Sequence, residues 1–343
     1  MIYLVFPTSW HPSQPYLSLP SLKAFLNMHG IHDVVQRDLA IELLNDLCTW
    51  DKTKPLYERI IRELNEMSAK PRLTQEEAEK FNKLREAEEI VMALKDQIDS
   101  AVASQRSQEF YEIDQYMENL KIMDVWLDNI LAPYYPSQLT VIGSQMRFSP
   151  YSSQEVIDSF THPEENFFYD LYQQWYLPGI LEEDIDILGI SITSVEQIIS
   201  GLTLAYLVKQ HRPEIHITVG GSVFTKLVDR LESQGSHLFN FVDSFVVHEG
   251  ETPLLRLVEQ LRGDGDLSKV PNLVYKQDGE VKVNRPFAKE ELNALPTPDF
   301  DGLPLDLYLS PERVLPVMGS RGCYWEQCAF CSIPFDHMTF HVR

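Results

Sequence analysis

The sequence predicts an α/β fold in which a doubly wound, five-stranded parallel sheet carries a large helical insertion. Short apolar runs alternate with helix-length stretches, as in parallel β-α-β units with right-handed crossovers. A charged, strand-free region interrupts the alternation after the second strand, and a hairpin and a proline-spaced linker follow the last helix. We expect five parts: 1–45 and 161–265 for the sheet domain, 46–160 for the insertion, 266–313 for the hairpin and linker, and 314–343 for a last segment.

The first two strands lie near the N-terminus. Met1–Phe6 is a continuous apolar run that ends at Pro7, and Ser18–Gly30 has apolar residues at helical spacing with a glycine at its end. Val34–Asp38 predicts the second strand. These elements form one β-α-β unit at the start of the chain.

The insertion is predicted to be helical from Leu39 to about Met123. Thr74 and Glu77 form a capping-box pattern, which marks the start of one helix. Apolar residues then recur at steps of three and four: Phe81, Leu84, Val91, Leu94, Ile98 and Ala101. This stripe favours core packing or an antiparallel helical hairpin over a partner-binding coiled coil. Cys48 is expected to be a small core residue.

Strand patterns return after the insertion. The predicted strands and helices alternate as Asp186–Ile192, Val195–Gln210, Ile215–Val219, Phe224–Ser233, Ser244–Val247 and Pro253–Arg262. Asn272–Tyr275 and Glu280–Val283 flank Asp278-Gly279 and predict a β-hairpin with a tight turn. A linker follows from about residue 295, and Val314–Val317 is expected to begin a new strand.

Small and polar residues follow four of the predicted strands, at the edge where doubly wound folds bind ligands. These residues are Thr8, Ser9, Trp10, His11, Ser191, Thr193, Gly220, Gly221, His248, Glu249, Gly250, Glu251 and Thr252. Each group alone is explained by ordinary turn and N-cap chemistry, but four groups at one edge favour a bulky ligand that approaches the backbone. Neither the Gly-x-Gly-x-x-Gly dinucleotide fingerprint nor a phosphate-binding P-loop is present.

Composition excludes several classes. The formal net charge of −22 argues against a nucleic-acid partner, which needs clustered Lys and Arg. The chain contains no apolar run of about 18 residues and no signal-peptide pattern at its start, so we expect a cytoplasmic protein without a membrane partner. Four cysteines, three of them clustered, indicate a metal site rather than a disulfide framework.

The cysteine cluster is the most specific motif. Cys323, Cys328 and Cys331 are separated by four and two residues. Three thiolates on one loop can hold three irons of a [4Fe–4S] cluster and leave the fourth iron open. The spacing is equally compatible with zinc, with His337 or His341 as a fourth ligand, and three unliganded buried thiols are a further alternative.

The segment "RGCYWEQCAFC" resembles the signature loop of the radical S-adenosylmethionine enzymes, in which three cysteines bind the cluster and an aromatic residue, here Phe330, precedes the last. The family's commonest loop has three residues between the first two cysteines, whereas this chain has four. A second resemblance lies upstream of this loop. It is to the flavodoxin-like, cobalamin-binding domain of the cobalamin-dependent members, and it rests on the residues that follow the predicted strands, on the hairpin and on "LPTPDFD". The resemblance covers most of the chain outside the helical insertion.

The resemblance implies three cofactors: cobalamin, a [4Fe–4S] cluster and S-adenosylmethionine. It implies that Ser191, Thr193, Gly220 and Gly221 line a slot for the cobalamin nucleotide tail, and that His248 to Thr252 border the corrin. It implies that Thr8, Ser9, Trp10 and His11 contact the cofactor, with Trp10 or His11 covering the lower face of the corrin. His11 lacks the acidic partner and the glycine of a cobalt-binding motif, so an uncoordinated lower face is expected.

The resemblance also predicts that residues 314–343 are the truncated start of a β/α barrel, since a whole barrel takes about 200 residues or more. The family reaction is a radical methyl transfer or a related rearrangement. With so little of the barrel present, enzymatic activity of the chain alone stays open. A truncated gene, a separate polypeptide that supplies the barrel, and a non-catalytic cobalamin-binding or sensing module are the three explanations, and the substrate is not predicted.

Overall fold

A seven-stranded, largely parallel sheet forms the centre of the fold in a computed structural model that describes residues 1–333 and 339–343. Its strands lie in the order β2-β1-β5-β6-β7-β8-β9, and the first five are parallel. The α/β class is therefore confirmed. The strands are β1 (Ile2–Phe6), β2 (Val34–Asp38), β3 (Gln138–Leu139), β4 (Ser144–Gln145), β5 (Ile187–Ser191), β6 (His216–Gly220), β7 (Ser244–Val246), β8 (Leu273–Gln277), β9 (Glu280–Val283), β10 (Ser320–Arg321) and β11 (His341–Val342).

Helices cover both faces of this sheet and form the insertion. They are α1 (Ser18–Met28), α2 (Leu39–Leu47), α3 (Trp50–Ser68), α4 (Gln75–Leu94), α5 (Ile98–Gln105), α6 (Ile113–Ile130), α7 (Ser153–Thr161), α8 (Phe167–Leu171), α9 (Leu177–Glu182), α10 (Gln197–His211), α11 (Ser222–Lys226), α12 (Val228–Gln234) and α13 (Glu251–Leu261). Strands β1 and β5 are buried along their whole length, as expected of continuous apolar strands with helices on both faces. None of the helices in the described ranges has the length and apolarity to cross a lipid bilayer.

The helical insertion begins after β2, as the sequence predicts, and α4 packs between α3 and α6. The Thr74–Glu77 capping box is confirmed, because each side chain bonds the backbone N–H of the other residue. Leu84 and Val91 from the predicted stripe are fully buried, and Cys48 is a core residue. The insertion is therefore held by ordinary core packing.

Two predicted elements differ from the structure. The predicted helix Phe224–Ser233 is two short helices, α11 and α12, which meet at Leu227. The predicted strand Val314–Val317 is wrong: these residues belong to no sheet, and no strand of the described residues pairs with them. An apolar run becomes a strand only when a neighbour supplies the hydrogen bonds of a ladder.

The hairpin and the linker are both attached to the sheet domain. Strand β8 pairs antiparallel with β7, so the hairpin extends the sheet at that edge. The linker then runs to the opposite edge, where Gln36 on β2 donates hydrogen bonds to the carbonyls of Asp299 and Asp301. Further on, the Tyr308 hydroxyl donates to Asp38 at 2.7 Å, and the N–H of Leu309 donates to the carbonyl of Pro12. The linker is therefore fixed along the β2 edge.

Candidate functional site

A cleft of about 230 Å³ opens at the carboxyl ends of the parallel strands, between one face of the sheet and helices α1 and α13. Its floor is a row of three residues in register across β1, β5 and β6: Leu4, Gly189 and Thr218. A Cβ atom at Gly189 would lie 2.8 Å from Cδ2 of Leu4, so glycine at this position gives the cleft its depth.

The floor has a polar end. The hydroxyl of Ser244 donates to Oγ1 of Thr218 at 3.0 Å, and Nε2 of His216 lies 2.9 Å from the same Ser244 oxygen. Burial lowers the pKa of His216 to about 4, so its imidazole is neutral at pH 7. A chain of neutral groups therefore ends at Thr218, which faces the cleft.

Paired glycines form one side of the rim. Gly221 has φ +116°, and a Cβ atom there would lie 2.1 Å from the carbonyl oxygen of Ile192. Gly220 is different, because its added Cβ would make only ordinary contacts of 3.7 to 3.9 Å with Val246. Gly221 thus allows two loops to approach each other, while Gly220 leaves open space beside the cleft.

Hydroxyl groups line the wall. Ser18, at the start of α1, lies 2.8 Å from Ser191 at the end of β5, oxygen to oxygen. The hydroxyl of Thr193 donates to the side-chain oxygen of Gln197, which also accepts the backbone N–H groups of Thr193 and Ser194. Thr193 therefore serves the start of α10 as well as lining the cleft.

Eight of the predicted site residues line this cleft together: Ser191, Thr193, Gly220, Gly221, His248, Glu249, Gly250 and Glu251. Thr252 lies outside it, with its N–H and hydroxyl donating to Glu290. Their contacts with a cofactor stay a prediction.

The residues after β1 are not part of the cleft lining. Thr8 and Ser9 are buried, and Thr8 lies beside Tyr172. Trp10 packs edge-on against Tyr16, a cleft residue, with ring centroids 4.7 Å apart, and His11 is exposed. The predicted cofactor contacts of Thr8, Ser9, Trp10 and His11 also stay predictions.

The C-terminal segment contributes Met318 and Arg321 to the lining of the cleft, at its mouth. The Arg321 guanidinium donates to both carboxylate oxygens of Glu251 and lies 3.3 Å from Glu249. Although burial alone would lower it, the two carboxylates raise the pKa of Arg321, so the guanidinium stays charged. All three side chains are buried, with 8% or less exposed.

The three clustered cysteines lie just beyond Arg321 and carry no disulfide. Cys323 and Cys331 are half-buried, Cys328 is exposed, and Phe330 is 93% exposed. Within the described residues, no group of three or more Cys, His, Asp or Glu side chains is placed to hold a metal ion. The donor types suit a cluster, but the thiols are not gathered around one point.

The zinc alternative takes its fourth ligand from one of two histidines, His337 or His341. His337 lies outside the described residues. Nε2 of His341 lies 3.2 Å from Glu249, so this imidazole faces the cleft motif.

Sequence reasoning missed several residues of the site: Ser18, Gly189, Thr218, Met318 and Arg321. Gly189 carried a signal, because a glycine inside an apolar strand indicates a close approach. Arg321 carried none, since its partner Glu251 lies 70 residues away. The hydroxyls of Ser18 and Thr218 are ordinary residues until the fold places them on one surface.

These features define an α/β protein with a ligand-sized cleft at the carboxyl edge of its parallel strands. No family model matches the chain. Over 155 residues it is 31% identical to an uncharacterized methyltransferase of Pyrococcus horikoshii, an alignment that covers 43% of this chain and 32% of that protein. The chain thus spans about a third of the length of the curated relative.

Among solved structures, the chain is similar to the radical S-adenosylmethionine methyltransferase TsrM from Kitasatospora setae, whose structure has cobalamin and a [4Fe–4S] cluster bound. The TM-score is 0.42 at 11% identity, and the match covers all of this chain and 43% of TsrM.

Proposed function

We propose that this chain is the cofactor-binding part of a cobalamin-dependent radical S-adenosylmethionine methyltransferase. One observation carries the proposal: the eight strand-end residues that resemble a cobalamin site line a single cleft, and Arg321 of the cysteine motif lies at its mouth. The sequence similarity to a methyltransferase agrees with it. Because the chain spans about a third of that relative, methyl transfer itself is proposed for the whole protein.

The cleft suits the nucleotide tail of cobalamin. Its floor combines apolar Leu4 with the hydroxyl of Thr218, which matches a flat heteroaromatic base with polar edges. The Ser18 and Ser191 hydroxyls can bind the ribose and phosphate, and backbone near Gly220 can approach the ligand closely. When bound, the cobalamin would supply a cobalt centre that carries a methyl group.

The cysteines suit a [4Fe–4S] cluster. Cys323, Cys328 and Cys331 would hold three irons, and the fourth would stay open for S-adenosylmethionine. This chain's residues would hold the cluster beside the cleft and shield it partly from water. Substrate contacts fall outside the proposal.

Cobalamin titration tests the first half of the proposal. We expect hydroxocobalamin to bind the purified protein with a shifted visible spectrum. Gly220→Val should weaken this binding at least about tenfold, because its methyl groups enter the cleft, while the free energy of unfolding changes by less than about 1 kcal/mol. Gly143→Val, in a distant loop where a Cβ atom has room, is the matched control. Absence of binding to the folded wild-type protein would contradict the assignment.

Anaerobic reconstitution tests the second half. We expect iron and sulfide in near-stoichiometric amounts in the wild type, a large loss in Cys328→Ala, and no loss in Ser332→Ala, which alters the same loop without removing a thiol. Stoichiometric zinc without iron would instead support a Cys3His zinc site, and its loss in His341→Ala would identify the fourth ligand. Cobalamin binding without any cluster would leave a cobalamin-binding module.

A further inference from the structure

The two carboxylates of the Glu249-Gly250-Glu251 segment contact residues of the C-terminal segment. Glu251, the first residue of α13, accepts hydrogen bonds from both terminal nitrogens of Arg321. Oε1 of Glu249 lies 3.3 Å from Arg321 and 3.2 Å from Nε2 of His341. Both carboxylates therefore contact basic side chains of the C-terminal segment.

The two basic residues come from the two strands of one small hairpin. Arg321 on β10 pairs directly with His341 on β11, and the three cysteines lie on the chain between these strands. The hairpin that brackets the cysteines is thus attached to the cleft rim at both of its strands. Gly322 follows Arg321 with φ +80°, and a Cβ atom there would lie 2.7 Å from the carbonyl oxygen of Thr339, so the strands are closely packed at this point.

The Glu249 carboxylate is also held from its other side. Oε2 of Glu249 accepts the backbone N–H of Glu290, and the Glu290 carboxylate accepts the N–H and hydroxyl of Thr252 in the first turn of α13. Burial raises the pKa of Glu290. Because Glu249 is bound on both sides, it cannot follow Arg321 if the hairpin moves away. The acceptors are part of the rim, and the hairpin is the part that docks.

A buried ion pair of this kind is a poor source of stability but a strong determinant of geometry. Removing the charges of Arg321, Glu249 and Glu251 from water is costly. The cost is offset only when the guanidinium donates to both carboxylate oxygens of Glu251. A small displacement of the hairpin leaves buried carboxylates without a cation. The hairpin therefore has one favoured position relative to the cleft.

We propose that Arg321 is a positioning residue that holds the cysteine loop over the cleft mouth, so that the thiolates and the cleft ligand face each other. The role of the three thiolates rests on the proposed function, whereas the docking of the loop does not. Glu249 and Glu251 act as the docking site for Arg321, and the corrin would contact this segment through its backbone.

Thiol labelling of the cofactor-free protein tests the docking. With iodoacetamide and mass spectrometry, each cysteine is followed separately. In Arg321→Gln we expect labelling of half-buried Cys323 and Cys331 to accelerate about tenfold, because the local opening becomes easier. Exposed Cys328 should change little, and buried Cys48 should stay unlabelled and so report an intact fold.

Three further single variants and one double variant keep the result interpretable. Arg313→Gln, eight residues before Arg321, removes an exposed arginine that pairs with Asp306 and should leave every rate unchanged. Glu251→Gln should also accelerate the labelling, and the double variant should be no faster than Arg321→Gln, since Arg321→Gln already removes the pair that Glu251→Gln breaks. Arg321→Lys should restore part of the protection because it keeps the charge but loses the two-pronged contact. Rates within twofold of wild type in Arg321→Gln, or additive effects in the double variant, would overturn the proposal.

A second measurement separates positioning from local stability. Bound cyanocobalamin should slow the labelling of Cys328 in the wild type, because the corrin covers the loop. In Arg321→Gln we expect this protection to be lost even at a cyanocobalamin concentration that saturates the variant. Retained protection would overturn the positioning role. If the wild type does not bind cyanocobalamin, the proposed function fails, and the cofactor-free rates still decide whether Arg321 docks the loop.

Discussion

The cleft and the cysteine segment are built in opposite ways. The cleft walls come from buried strands and helices, and its shape depends on backbone close contacts such as that of Gly221 with Ile192. The cysteine segment has large apolar side chains in solvent, with Val317 83% and Phe330 93% exposed. One binding surface is thus preformed by the core, whereas the other is held in place by a few contacts around Arg321. Substitutions in the cleft should lower the free energy of unfolding, whereas substitutions around Arg321 should change the position of the cysteine segment.

The largest effect is expected from Gly221→Ala. The new methyl group would lie 2.1 Å from a carbonyl oxygen, at φ +116°, so the free energy of unfolding should fall by roughly 3 kcal/mol or more. Urea denaturation measures the change. Gly265→Ala is the matched control, because its φ is also positive, +76°, but a Cβ atom there meets nothing within 4 Å. Its cost should be only about 1 kcal/mol. Equal losses in both variants would show that the close contact does not matter.

The second-largest effect is expected in the pH dependence of stability, which two buried groups of the sheet domain, Asp38 and His216, determine. Burial raises the pKa of Asp38, which accepts from Tyr308, to about 6, and lowers the pKa of His216 to about 4. The Asp38 contribution to stability is complete below about pH 4 and is lost as pH rises through 6. The His216 contribution is complete above about pH 6.5 and is lost as pH falls through 4. The two contributions to the free energy of unfolding change in opposite directions with pH, and each changes by about 3 kcal/mol.

Replacing either group should therefore leave only the pH dependence of stability that the other group contributes. In Asp38→Asn, which keeps an acceptor for the start of α2, the free energy of unfolding should rise relative to wild type by about 2–3 kcal/mol between pH 4 and 6.5. In His216→Gln it should fall by a similar amount over the same range. Denaturant titrations at several pH values measure both. Parallel pH profiles for wild type and both variants would contradict the assigned shifts.

The smallest effect is expected in the cysteine segment. Phe330→Ser should change the free energy of unfolding by less than about 0.5 kcal/mol, because the ring is almost fully exposed. Phe167→Ala, which removes a fully buried ring from the core, should cost about 3–5 kcal/mol and serves as the reference. A large loss in Phe330→Ser would show that the segment is packed against the body of the protein after all.

The same contrast explains what the sequence could predict. The α/β class and the Thr74–Glu77 cap follow from local patterns, and the structure confirms them. The gathering of strand-end residues followed from topology, because parallel strands end at one edge. The failed strand at Val314–Val317 had the right pattern but no partner strand in the described residues.

The remainder depends on contacts between distant parts of the chain. The pairing of β8 with β7 requires knowing that this edge of the sheet is free. The buried charge of Arg321 is tolerated only because Glu249 and Glu251 meet it, and neither spacing nor composition encodes such a meeting. Interactions of this kind decide the geometry of the site, and they become visible only in three dimensions.

The attachment of the linker to the β2 edge keeps the cysteine segment close to the cleft. The chain is fixed at Leu309 by its bond to Pro12 and again at Arg321 by the ion pair, so only residues 310–320 lie between two anchors. A short tether keeps its end within a small volume, which amounts to a high effective concentration of the thiols at the cleft mouth. Even a hairpin that undocks therefore samples positions near the cleft, and redocking is an intramolecular event.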